Sequence, residues 1–258
     1  MKLKYYLKLF KIPRMIFFLE VILGYIIANN LLINKQDFFV LLIVFVSFSL
    51  LVYLGIYTIN DILDRKADRK NPEKRLRPIA SGKISVKKGI VFLIIIILLG
   101  LFLGYLISVK LFIMELIFIF VNLVYSLYLK HIPYIEFFSN GITHGLRLYL
   151  GIILAGSYDF ILLAVSFYLT SVIFSVLKRE NEIRKKQIQS RKTLKKYKLK
   201  VLYLIYILIS LFIILIAVYI QGLQRLVVLI EIITFMLILM SYHSSKYLQR
   251  KIDPILKF

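Results

Sequence analysis

Asn60-Asp61-Ile62-Leu63-Asp64-Arg65-Lys66-Ala67-Asp68 decides the fold, because it is the charged joint between two long apolar runs. The chain continues through Arg69-Lys70-Asn71-Pro72-Glu73-Lys74-Arg75-Leu76-Arg77-Pro78 to Ile79-Ala80-Ser81-Gly82 before the next apolar run begins. Side chains this polar do not rest in hydrocarbon, so the stretch sits where a membrane helix meets water. Asp61, Asp64 and Asp68 fall at spacings of three and four, which puts them on one face of a continuous α-helix. Three like charges within two turns repel, and a hard divalent cation relieves the repulsion. Oxygen donors of this kind suit Mg²⁺, which keeps several waters and is completed by substrate phosphates. The basic residues that follow are placed to contact the rest of a phosphorylated substrate. This stretch is the candidate active site.

The rest of the chain fits that placement. It has 258 residues and is 60% hydrophobic, where a soluble domain averages about 45–50%. Repeated apolar runs of spanning length predict an all-α, polytopic membrane bundle. The formal charge of +22 raises nucleic acid as a partner. Its basic residues, however, cluster between apolar runs, where topology and anionic membrane lipid account for them, so no nucleic-acid partner is expected. The absence of cysteine excludes a disulfide framework, a thiol nucleophile and a thiolate metal site. Met1 to Arg14 is basic and flows into the first apolar run without a small-residue cleavage pattern, so no cleavable signal is expected.

Eight spans are predicted, near 15–33, 38–59, 90–109, 111–129, 135–156, 160–178, 200–220 and 225–243. With this division, 31 Lys and Arg lie in the connections and tails of one side and 3 on the other, with Arg147 inside a span. The positive-inside rule then places both termini and the charged loops 60–89 and 178–199 in the cytoplasm. Residues 1–258 read as a single integral-membrane domain whose central cavity opens to the cytoplasmic side. Pro72 and Pro78 interrupt any helix between the second and third spans, and Ser85 is a candidate N-cap for the helix that follows.

Charged groups in hydrocarbon cost at least about 2.5–3.5 kcal/mol at the bilayer centre, so each needs a reason. Arg147 lies in the fifth span, three residues from His144 and on the same face. An anion contact near the site is the favoured role, and an internal pair with Glu20, Glu115 or Glu231 is the alternative. A satisfied structural role for His144 stands level with a ligand role. Glu20, Glu115 and Glu231 are single acids on apolar helices and read first as helix–helix contacts. In the second loop, Lys178 and Arg179 sit at the predicted end of the sixth span, where they can project into a cavity. Arg191 with Tyr197 is a candidate pair for a second phosphate.

Taken together, these residues resemble the UbiA prenyltransferase superfamily. Asn60-Asp61-x-x-Asp64-x-x-x-Asp68 matches its first Asp-rich motif and Arg77-Pro78-Ile79-Ala80-Ser81-Gly82 the adjoining signature. Tyr125-Ser126 through Lys130, and Gly145-Leu146-Arg147 to Gly151, resemble its fourth and fifth helices. The resemblance implies an intramembrane bundle with a Mg²⁺-bound diphosphate, in which Asn60 assists Asp61, Asp64 and Asp68. Most members carry a second Asp-rich motif after the sixth helix. Here that place reads Lys178-Arg179-Glu180-Asn181-Glu182, and no aspartate occurs from Ala164 through Gln249.

That substitution is similar to the decaprenyl-phosphate phosphoribosyltransferase branch. Lys178-Arg179-Glu180, Arg191-x-x-Leu194-x-x-Tyr197 and Pro72-x-Lys74-Arg75-x-Arg77-Pro78-Ile79-Ala80 carry the likeness. It implies a diphosphate-bearing donor, phosphoribosyl pyrophosphate, and a polyprenyl phosphate as acceptor. Lys74, Arg75 and Arg77 would stabilise the leaving group and the 5-phosphate, with Lys130, Arg147, Lys178, Arg179, Glu180, Arg191 and Tyr197 as further substrate contacts. The second reading is prenyl transfer from a prenyl diphosphate to an aromatic or glycerol-phosphate acceptor, with Glu180 or Glu182 in place of the missing motif. A non-catalytic lipid-binding protein or transporter is the reading from outside the enzymes.

Overall fold

The computed structural model describes residues 3–72, 74–184 and 192–244, and no strand occurs among them. After a short α1 (Leu3–Leu7), a 3₁₀ segment Ile12–Phe17 runs straight into α2 (Phe18–Ala28). One rod follows, made of α3 (Lys35–Val44), a π-helical stretch Phe45–Val52 and α4 (Tyr53–Leu63). The short α5 (Arg65–Lys70) leads through the loop to α6 (Val86–Ile107) and α7 (Val109–Leu127). The chain then forms α8 (Ile135–Leu154), α9 (Ile161–Arg184), α10 (Leu199–Tyr219) and α11 (Gly222–Ser244).

Among the described residues, five helical segments are long and apolar enough to cross a membrane: Lys35–Leu63, Val86–Ile107, Val109–His131, Ile161–Arg184 and Leu199–Tyr219. Their outer faces are apolar, as Leu98, Phe102 and Leu106 on α6 and Leu208, Phe212 and Leu215 on α10 show. Such surfaces suit lipid rather than water. Local chemistry sets the boundaries. Asn34 and Asp37 form a reciprocal capping box at α3. Ser85 accepts from Lys88 N at the start of α6, as expected, and Ser108 accepts from Leu111 N at the start of α7.

Three boundaries differ from the sequence expectation. The first span begins as a 3₁₀ helix and ends at Ala28, because Asn30 and Leu31 turn left-handed at φ 51° and 64°. The sixth does not stop at 178 but runs to Arg184, since Arg179–Glu182 and Glu180–Arg184 pair one turn apart and carry the helix past the apolar run. The third difference matters most: α4 closes at Leu63 and α5 restarts at Arg65, so the Asp-rich stretch is broken at Asp64 rather than presenting one continuous helical face.

The middle of the bundle is α8, which packs against α2, α7 and α9. Its approach to α2 depends on two glycines. A Cβ on Gly24 would strike the Leu148 carbonyl, and one on Gly151 would strike the Val21 carbonyl. Glu20 lies one turn before Gly24 and Arg147 one turn before Gly151, so this close crossing brings the two charges together. At the basic end, contacts join the segment before α2, the 60–89 loop, the α7–α8 turn and the residues before α10.

Candidate active site

The motif carboxylates lie at that basic end, each held by a cation. Asp61 is 2% exposed and accepts from Lys11 Nζ at 2.8 Å and Arg77 Nη1 at 3.2 Å. The same Arg77 nitrogen donates to Asp68 Oδ2 at 2.8 Å. The break at Asp64 therefore still lets Asp61 and Asp68 converge, on one guanidinium. Asp64 turns to Lys130 Nζ at 2.6 Å, across from the α7–α8 turn. Asn60 is half-buried beside them, and its carbonyl accepts from Asp64 N. Lys74 and Arg75 are exposed. Burial lowers the Lys11 ammonium pKa, against the raising pull of Asp61.

Among the described residues no three His, Asp or Glu side chains converge closely enough to enclose a cation. The donor set nonetheless fits a hard divalent ion that keeps waters and takes further ligands from a diphosphate. It is all-oxygen and carboxylate-rich, and its present partners are cations whose place beside the carboxylates a divalent metal could take.

A cavity of about 750 Å³ lies among the 3₁₀ segment, α2, α7, α8, α9 and α11; Arg14, three residues from the Lys11 that bonds Asp61, lines it, and none of the motif aspartates does. Phe17, Phe137, Phe167, Phe174 and Phe235 supply much of its apolar wall. Polar groups reach it from Arg14, Glu20, Glu136, His144, Lys178 and Glu231, among others. Toward the basic end Glu136, 2% exposed, receives Arg179 Nε at 2.5 Å and the Tyr197 hydroxyl at 2.5 Å. Arg179 also donates to Glu182 Oε2 at 2.7 Å. Burial first, and then the bond to Glu136, pushes the Tyr197 phenol above its ordinary pKa. Deeper in the bundle Glu20 takes His144 Nδ1 at 2.6 Å and Arg147 Nη1 at 3.0 Å, while Arg147 Nη2 reaches the Tyr53 hydroxyl at 2.6 Å.

The predicted residues thus divide. Asp61, Asp64, Asp68, Arg77 and Lys130 are brought together, with Asn60 alongside. Lys178 and Arg179 line the cavity, as expected. Arg147 is not an anion contact here: it is 3% exposed and paired with Glu20, the alternative weighed for it. Glu180 is fully buried between Arg184, Tyr203 and Tyr206 and faces no ligand space. Tyr197 serves Glu136 rather than a second phosphate, and Arg191 lies outside the described residues. Glu115 is the expected helix contact, bonded to Ser47 and seated on Gly104. Glu20 and Glu231 make the expected helix contacts, to His144 and Arg147 of α8 and to Thr170 of α9, and also line the cavity. Sequence reasoning missed Lys11, Arg14 and Glu136. The first two were absorbed into the topogenic charge, and an acid in the first turn of α8 looks like ordinary helix-dipole compensation.

Comparison with known proteins follows the same lines. A family model described as the UbiA prenyltransferase family matches residues 17–258. Over 109 residues the chain is 38% identical to digeranylgeranylglyceryl phosphate synthase of Methanocaldococcus jannaschii, a stretch covering 42% of this chain and 36% of that enzyme. Two other curated relatives are matched over 22% and 15% of their lengths, so the chain spans well under half of each. A solved structure described as giving insights into digeranylgeranylglyceryl phosphate synthase in membranes superposes with a TM-score of 0.72 at 26% identity, covering 99% of this chain and 93% of that one. A UbiA homologue from Archaeoglobus fulgidus, solved with GPP and Mg²⁺, superposes with a TM-score of 0.68 at 20% identity, covering 94% and 89%; it shares the fold.

Proposed function

Because the chain belongs to the UbiA prenyltransferase family, a family of membrane transferases, we propose that it transfers a prenyl group from a prenyl diphosphate to an acceptor of the glycerol-phosphate class, with Mg²⁺ as cofactor. One observation carries the reading: the convergence of Asp61 and Asp68 on Arg77, with Asp64 tethered alongside, in a bundle that also holds a cavity walled by phenylalanines. Asp61, Asp64 and Asp68 would hold the metal, whose charge would stabilise diphosphate as a leaving group. Lys11, Arg77 and Lys130 stand beside these carboxylates and would bind diphosphate oxygens by charge-assisted hydrogen bonds. The aromatic wall takes the isoprenoid chain and excludes water from the reacting carbon.

The 38% identity to digeranylgeranylglyceryl phosphate synthase supports a glycerol-phosphate acceptor. Phosphoribosyl transfer, favoured on the Lys178-Arg179-Glu180 likeness, draws less support from the same residues in place. Glu180 is buried away from the cavity, and Arg179 is shared between Glu136 and Glu182. Purified protein in liposomes with Mg²⁺ separates the two. Label from geranylgeranyl diphosphate should pass into a glycerol-phosphate acceptor and fail to do so in Asp61→Asn. Label passing instead from phosphoribosyl pyrophosphate into polyprenyl phosphate would replace this reading with its rival.

A further inference from the structure

A prenyl acceptor that attacks through a hydroxyl must lose a proton, and the carboxylates of the Asp-rich motif are committed to cations. A different pair is placed for that task. Arg14 and Phe17 are one turn apart on the 3₁₀ helix Ile12–Phe17, with Lys11 capping its start and Glu20 in the first turn of α2. Lys11 is bonded to Asp61, while Arg14, Phe17 and Glu20 line the cavity. This run of chain leads from the Lys11–Asp61 pair to Glu20, which holds His144.

His144 lines the same cavity with Nδ1 bonded to Glu20 Oε1 at 2.6 Å and Phe17 edge-on to its ring at 5.2 Å. With Nδ1–H donated to the carboxylate, the imidazole presents Nε2 as its proton-accepting atom. Glu20 is in turn fixed by Arg147, whose guanidinium lies over the rings of Phe17, Tyr53 and Phe118. A carboxylate, an oriented imidazole and a buried guanidinium that locks the carboxylate form an arrangement more elaborate than holding α2 to α8 requires. The glycine crossing already does that.

We propose that His144 accepts the proton of the acceptor hydroxyl, with Glu20 as its positioning residue. This rests on the prenyl-transfer reading above. The hydroxyl oxygen forms a bond to prenyl C1, the C1–oxygen bond to diphosphate breaks with its electron pair leaving on the diphosphate, and the hydroxyl proton passes to His144 Nε2. Facing His144 are Glu20 from α2, Phe17 from the 3₁₀ segment and Arg147 from its own helix. Arg14, Glu136, Lys178, Arg179 and Glu231 are the other charged residues on that cavity.

The test uses full-length protein in liposomes with geranylgeranyl diphosphate and a hydroxyl-bearing glycerol-phosphate acceptor. His144→Asn keeps a hydrogen-bonding atom near the Nδ1 position, so the Glu20 contact and the fold survive it. Expected is a kcat lower by about 10²–10⁴-fold, loss of the acid limb of the kcat–pH profile, and an unchanged Kd for the prenyl diphosphate. Glu20→Gln should lower kcat while leaving the KM for the prenyl diphosphate unchanged, the mark of a lost positioning contact rather than of a lost fold. Wild-type kcat in a folded His144→Asn protein overturns the inference while leaving prenyl transfer standing. A variant that loses donor binding in step with turnover also overturns it, since that is the mark of a structural histidine. Failure of the wild type to use any prenyl diphosphate overturns both readings.

Discussion

Arg77 is the side chain on which the site turns, since one of its nitrogens bonds both Asp61 and Asp68. Arg77→Ala should lower prenyl transfer by about 10²–10³-fold, the usual loss when a charge-stabilising donor is removed. Arg77→Lys should recover part of it, since one ammonium can bridge the two carboxylates as Nη1 does but sits on a shorter side chain. Steady-state rates with labelled donor check both. Tyr197 carries a different prediction. Its phenol keeps its proton in the folded protein at pH values where an unfolded chain, titrating near about 10, has lost it. That contribution to stability is whole below about pH 10 and declines as pH rises above it. Tyr197→Phe should flatten part of the alkaline fall in thermal stability and cost about 0.5–1.5 kcal/mol at neutral pH for the lost bond to Glu136. At this scale the sequence was readable where residue type alone fixes the chemistry, as in Asp61, Asp64 and Asp68. It was unreadable where the partner comes from a distant helix. Nothing local distinguishes Arg147 bound to Glu20 from Arg147 awaiting an anion, because the partners are 127 residues apart.

The site is held together at the scale of elements by the α2–α8 crossing. Val21 to Gly24 and Leu148 to Gly151 meet backbone to backbone, and a turn away this fixes Glu20 against His144 and Arg147. Gly151→Leu should force the helices apart, lowering thermal stability by more than the 1–3 kcal/mol typical of overpacking, because the obstacle is main chain rather than a mobile side chain. Melting of the detergent-solubilised variant tests this. Periodicity and hydropathy located the helices within a few residues, since apolar runs leave few other outcomes in a membrane. They did not locate the break at Asp64. Asn60 to Lys70 contains neither proline nor glycine to mark it, and the departure is slight, since the Asp64 N–Asn60 O and Asp68 N–Asp64 O bonds run across it.

The whole molecule is organised by charge as much as by apolar burial. The loops that meet around the Asp-rich stretch are the basic ones, and the positive-inside reading puts them on one side of the membrane. With no cysteine in the chain, single introduced cysteines report topology directly. Lys87→Cys and Lys198→Cys should be labelled from the same side and Lys110→Cys from the other. Labelling of all three from one side would contradict the arrangement. The fold was legible at this scale because composition and spacing suffice for it. The proposed donor was less so, since Lys178 and Arg179, two adjacent cations ahead of Glu180, read as a phosphate site until Glu136, Glu182 and Tyr206 are seen around them. The central claim is that the aspartates exchange Lys11, Arg77 and Lys130 for a metal-bound prenyl diphosphate. Equilibrium binding of geranylgeranyl diphosphate to the purified protein, with Mg²⁺ and with chelator, tests it most directly. The account predicts binding that requires Mg²⁺ and that Asp61→Asn weakens at least about tenfold, the effect of losing 1.4 kcal/mol. Equal affinity with chelator, or in the Asp61→Asn protein, would contradict it.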